Sequence, residues 1–108
     1  MTWQVYRYQT IERKQPFTEW VGSFKDRNIR TLIRTRTVRL SRGNFGDYKM
    51  IGEGVFESRI HFGPGYRIYF GIDGEKLIIL LCGGEKSTQA SDIRQAQNYW
   101  RDYLRRRS

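Results

Sequence analysis

Two arginines, one histidine and one tyrosine alternate along two short segments, Arg59 and His61 in Phe56–Phe62 and Arg67 and Tyr69 in Tyr66–Phe70. Both segments show period two, so each reads as a β-strand with these polar side chains on one face and Phe56, Ile60, Ile68 and Phe70 on the other. Gly63-Pro64-Gly65 between them is turn chemistry. If that turn pairs Phe62 with Tyr66, antiparallel register sets His61 opposite Arg67 and Arg59 opposite Tyr69. Lys86 follows the next strand and adds a further cation at the rim.

Such a cluster suits cleavage of an RNA phosphodiester without a metal. A base removes the proton of a ribose 2′-OH, the oxygen attacks the adjacent phosphorus, and fixed cations stabilise the charge gathering on the phosphoryl oxygens. His61 is the only side chain of the cluster that ordinarily titrates near neutrality, and two neighbouring arginines favour its neutral, basic form. Arg59 and Arg67 are placed to clamp a phosphate, and Tyr69 to stack on a base or orient the phosphate. The plainer reading is an exposed polar sheet face whose cross-strand pairs carry no chemistry.

The elements that must position these residues are legible in outline. Trp3–Tyr8 alternates loosely and reads as a first strand. Pro16 suits the first turn of a helix, and Phe17, Trp20, Val21 and Phe24 follow at helical spacing. Asp26 is an N-cap for a second helix, with Ile29, Leu32, Ile33 and Leu40 inward and Gly43 as its stop; the two helices form a hairpin. The outer face of the second helix carries Arg34 and Arg39, read as a solvated or phosphate-tracking surface. Asp73-Gly74 is a hairpin turn before Leu77–Cys82, a strand apolar on both faces and therefore central, which Gly83-Gly84 ends. That turn is expected to put Ile78, Leu80 and Cys82 on the face of Arg67 and Tyr69, open to an acidic partner segment. From about Thr88 a third helix carries Ile93, Ala96, Trp100, Tyr103 and Leu104 inward. The expectation is an α+β domain with helices on an antiparallel-rich sheet of four to five strands.

Composition sets the partner class. The 108 residues suit one domain, and 15% aromatic content favours a packed core over disorder. A formal net charge of +9, from 20 Lys+Arg against 11 Asp+Glu, points to a polyanion, with nucleic acid the first candidate. One cysteine, Cys82, forms no internal disulfide and fits a reducing, cytoplasmic setting; as the partner of a lone histidine it builds no zinc site, and neither metal nor cofactor is expected. The N-terminus lacks the apolar core of a signal peptide, and no apolar stretch nears membrane-spanning length.

One stretch says more. "RGNFGDYKMIGEGVFESRIHFGPGYRIYF" followed by "IILLCGGEKSTQASDI" resembles the RelE/ParE toxin superfamily, and within it the HigB-like addiction-module killer branch related to phage-derived toxin-like proteins. The recurring pieces are N-F-G-D, E-x-R-I-H, G-P-G-Y-R-I-Y and G-G-x-K-x-x-Q, in the same order over about half the chain. The resemblance implies a RelE-like fold across residues 1–108 and the toxin of a type II toxin–antitoxin pair. It implies ribosome-dependent mRNA cleavage, held in check by a cognate helix-turn-helix antitoxin. Arg59, His61 and Arg67 fall where such toxins carry basic residues, and Lys86 close to a further cation, which leaves the general base between His61 and Lys86. The alternatives are a ParE-like toxin that poisons DNA gyrase, which generally lacks this basic set, and an inactive nucleic-acid-binding module.

Overall fold

The computed structural model describes residues 2–107. The elements run β1 (Gln4–Arg7), α1 (Pro16–Gly22), α2 (Arg27–Ser41), β2 (Asp47–Met50), β3 (Val55–Ile60), β4 (Tyr66–Asp73), β5 (Leu77–Glu85), a 3-10 turn (Lys86–Thr88) and α3 (Gln89–Arg107). They form a five-stranded mixed sheet in the order β1-β5-β4-β3-β2, with β1 parallel to β5 and every other pair antiparallel. The architecture is α+β with a C-terminal helix, as the sequence leads one to expect.

Local signals explain the helices. Pro16 opens α1, where its missing N–H is no loss. The Asp26 side chain accepts from the Asn28 N–H and caps α2, and Gly43 follows that helix with φ +82°, a conformation that only glycine adopts cheaply. Helices cover both faces of the sheet. Phe17 and Val21 of α1 and Ile33 and Leu40 of α2 pack on Ile60, Ile68, Phe70, Ile78 and Leu80. On the other face Ala96 and Trp100 of α3 pack on Tyr8, Val55, Tyr69, Ile79 and Leu81. This explains why β5 is apolar on both sides: it lies between β1 and β4 with helices above and below.

Three expectations are corrected. Gly83-Gly84 does not end β5, which continues to Glu85. A Cβ on Gly83 would run into the Trp20 indole and one on Gly84 into the Asp92 carboxyl, so the two glycines let α1 and α3 press onto the strand from opposite sides. A β-bulge shifts the β4–β5 register between Tyr69 and Phe70: Tyr69 faces Cys82, Phe70 faces Leu80, and Leu81 is the extra residue. Ile78 and Leu80 therefore turn to the α1/α2 side, Cys82 alone of the three shares the Tyr69 face, and all three are buried rather than open to a partner. Burial also pushes the Cys82 thiol up to about 12, so it stays protonated and inert.

The third correction concerns register. The β3–β4 hairpin closes on Ile60 opposite Tyr66, not Phe62 opposite Tyr66, which leaves a five-residue loop, 61–65. Arg59 then lies directly across from Arg67, Glu57 lies across from Tyr69, and His61 leaves the strand for the loop. The slip is by two residues, so the faces are preserved although the partners change.

Candidate anion-binding groove

Two guanidinium groups directly opposite on one sheet face repel each other. The fold meets this with Glu57, two residues before Arg59 and fully buried. One carboxylate oxygen accepts from Arg59 Nε at 3.0 Å, the other from Arg67 Nη1 at 3.3 Å and from Gln89 Nε2 at 3.0 Å. Burial alone would raise the Glu57 carboxyl, but the bonds from Arg59 and Gln89 and the charge of Arg67 outweigh it and hold the group below its ordinary range. Glu57 is thus an ionised anchor that fixes both arginines and ties them to the first residue of α3.

Above this anchor a concavity of about 340 Å³ is lined by Arg59, His61, Tyr66, Arg67, Lys86 and Gln89. Local structure explains how Lys86 comes to its rim. The backbone N–H of Lys86 donates to Gly65 O at 3.0 Å, pinning the 3-10 turn to the hairpin loop, and Glu85 and Thr88 complete a capping box around that turn. The Lys86 side chain is exposed and takes no ion pair among the described residues. Arg59 is partly exposed and spends only Nε on Glu57, so both of its Nη groups are without a partner among the described residues. Arg67 is 7% exposed and contributes mainly its charge. Arg59, Arg67 and Lys86 outnumber the two nearby carboxylates, Glu57 and Asp47, so the groove favours an anion.

His61 sits at the exposed edge. Its Nε2 lies 2.6 Å from Asp47 Oδ2 on the edge strand β2, and this contact, ahead of the nearby cations, lowers the Asp47 carboxyl. Asp47 thereby orients the ring and leaves Nδ1 without a partner among the described residues.

The structure brings Arg59, His61, Arg67 and Lys86 to one groove, as the residue types and spacing lead one to expect. The remaining predicted residues lie elsewhere. Tyr69 is wholly buried under α3, where burial and the neighbouring Glu57 carboxylate push its phenol up, and no base can stack on its ring. Arg34 and Arg39 are exposed on α2, the helix that covers the opposite face of the sheet, and neither lines the groove. Sequence reasoning passed over three residues the site depends on. Glu57 carried a signal, a carboxylate in phase with Arg59 and Arg67, but its position early in the strand hid its role. Asp47 and Gln89 stood in the motifs N-F-G-D and G-G-x-K-x-x-Q without a role assigned to them, because their approach to the site requires the placement of β2 and of the start of α3.

Among the described residues no three His, Cys, Asp or Glu side chains gather as metal ligands, and no helix is long and apolar enough to cross a membrane. No family model matches the chain. It is similar to an uncharacterized protein of Haemophilus influenzae (strain ATCC 51907 / DSM 11121 / KW20 / Rd), with 47% identity over 87 residues, 81% of this chain and 88% of that protein. At that identity and coverage, the chain belongs to the same family as this uncharacterized Haemophilus protein.

Proposed function

We propose that the protein is a RelE-like toxin of a type II toxin–antitoxin pair that cleaves mRNA on the ribosome in the cytoplasm by metal-independent attack of a ribose 2′-OH. The observation that carries this reading is the meeting of Arg59, His61, Arg67 and Lys86 in one groove, although they come from two strands, a loop and a turn. The order of one strand, two helices, four strands and a final helix supports it, because the resemblance leads one to expect that order.

In this mechanism His61 Nδ1, its ring oriented by Asp47, takes the proton of the 2′-OH. The new O–P bond forms as the bond from phosphorus to the 5′-oxygen breaks, leaving a 2′,3′-cyclic phosphate, and the Lys86 ammonium returns a proton to the departing oxygen. The free Nη groups of Arg59 and the charge of Arg67 stabilise the developing negative charge. A cognate antitoxin, expected to be of the helix-turn-helix type, neutralises this basic groove.

The test is cleavage of a defined mRNA by the purified protein on translating ribosomes, mapped by primer extension. Cuts within codons are expected. Arg59→Ala should lower the rate about 10²–10³-fold, the scale of losing one donor to a developing oxyanion. Arg59 is the more direct target because its Nη groups reach the groove while Arg67 is nearly buried; both pair with Glu57, so the melting temperature of Arg59→Ala is measured beside its rate. Intact mRNA together with gyrase-trapped DNA breaks would overturn the reading in favour of a ParE-like poison.

A further inference from the structure

A second hollow of similar size, about 310 Å³, opens where β1 meets the C-terminal end of α3. Gln89 and Arg106 are separated by about 25 Å along α3 at its rise per residue, so this cleft is remote from the groove. Its walls are Tyr6, Tyr8 and Tyr103 with Arg7, Arg106 and Arg107, and no carboxylate lines it.

Two of the rings and two of the guanidinium groups are held in place from behind. Asp102 accepts from the Tyr8 hydroxyl and pairs with Arg106 at 2.8 Å, and the Arg106 guanidinium lies over the Tyr8 ring at 5.6 Å from its centroid. Asp73 accepts from the Tyr103 hydroxyl at 2.7 Å and pairs with Arg107 at 3.5 Å, while the Tyr103 ring stacks on Trp100. Arg7 borders the cleft, but its guanidinium turns to the α1 side, where it donates to Thr18 Oγ1 at 2.9 Å and lies over the Phe17 ring. Tyr6 is the exception. Its ring is 56% exposed on an edge strand and makes no aromatic contact or hydrogen bond among the described residues. An unpaired aromatic beside pre-positioned rings and guanidinium groups is the composition that binds unstacked bases and their phosphates, because every base presents a π-face and every nucleotide a negative charge. Pre-positioning lowers the entropy lost on binding.

We propose that this cleft binds a nucleotide of single-stranded RNA, its base stacked on Tyr6 and its phosphate against Arg106 and Arg107. The assignment stands apart from the cleavage reading and does not need the groove to be active. An acidic peptide is the competing occupant, and it is disfavoured because the walls offer flat aromatic rings rather than aliphatic pockets, with Ile79 the one aliphatic residue among them.

The test is fluorescence anisotropy of a short 2′-O-methylated oligouridine, which 2′-OH attack cannot cleave, titrated with the full chain. An Arg59→Ala, Lys86→Ala background removes the two accessible cations of the groove. In that background binding should persist, weaken steeply with salt, and fall about tenfold on Tyr6→Ala, whereas Tyr6→Phe keeps it. Tyr6 lies outside the Asp73 and Asp102 tethers, so an unchanged melting temperature separates lost stacking from lost structure. Tyr6→Ala binding as tightly as its parent would overturn the proposal. So would loss of all binding in the groove background, or Tyr6-dependent binding of a polyglutamate peptide in place of the RNA. If the oligonucleotide binds through Tyr6 but mRNA is never cut, the cleavage reading fails and this one stands.

Discussion

On its α1/α2 side the central strand β4 presents Tyr66, Ile68 and Phe70, buried among aromatic and aliphatic neighbours. On its α3 side the same strand presents Arg67 and Tyr69, with Glu57 from β3 wedged beside them. The first face is held by many apolar contacts spread over residues from both helices and three strands. The second is apolar only as far as Ala96 and Trp100 reach, and where α3 begins at Gln89 it changes to charge organised around one carboxylate. The apolar contacts are distributed over many residues, whereas the groove depends on a single carboxylate.

Removing that carboxylate should have the largest effect. Glu57→Ala leaves Arg67 buried with no counter-charge, and truncating one partner of a buried pair costs about 3–5 kcal/mol. Urea denaturation should show it as a lowered midpoint. A loss on the scale of an exposed pair would break the comparison, because the Glu57 node would then be dispensable to the fold. Glu57→Leu with Arg67→Met sharpens it: replacing both charges with apolar groups should recover most of the stability. On the proposed mechanism cleavage should still be lost.

Ile68→Ala is the matching experiment on the other face. Ile68 is wholly buried among Phe17, Ile33 and Leu80 and their neighbours, so a loss of about 2–5 kcal/mol is expected from lost burial and an imperfectly closed cavity. The groove should survive in the molecules that stay folded, so anion binding per folded chain should match the parent. Anion binding that falls along with stability would show that the two faces are coupled.

How much of each face was legible follows the same division. Ile60, Ile68, Phe70, Phe17, Val21, Ile33 and Leu40 announce themselves by period, and the structure buries all of them. The charged face was legible in its residue types but not in its partners. Register depends on the length of the loop, and Gly63-Pro64-Gly65 marks a turn without stating that residues 61–65 all belong to it. The bulge at Leu81 and the parallel pairing of β1 with β5 arise from contacts distant in sequence, which no local pattern encodes. Gly83-Gly84 misled because a strand glycine that yields to Trp20 and Asp92 looks, in sequence, like a glycine that ends a strand.

A smaller effect separates the faces by pH. The Glu57 carboxyl is held below its ordinary value of 4.5 in the folded chain, so the unfolded chain binds that proton more readily. The stabilisation is therefore complete above about 4.5 and is lost as pH falls through the lower folded value. Unfolding free energy should decline with acid more steeply in the parent than in Glu57→Gln, and the two curves should converge at low pH. Ile68→Ala should keep the parent slope, since it touches no titrating group. Parallel curves for the parent and Glu57→Gln would mean that the carboxylate does not titrate with folding.

The smallest structural effect is expected at Asp47. Its contact with His61 is open to water, the two side chains being 55% and 73% exposed, and solvent screens such pairs almost completely. Asp47→Asn should leave the melting temperature where it is. What it should change is the ring: an amide holds the imidazole less firmly and no longer favours a proton on Nε2. If His61 is the base, His61→Ala should slow cleavage about 10²–10⁴-fold, and Asp47→Asn by less. The two faces thus predict opposite signatures, stability without chemistry at Ile68 and chemistry without stability at Asp47. An Asp47→Asn variant that cleaves at the parent rate would remove the orienting role of Asp47 from the mechanism and leave the base to be decided by His61→Ala alone.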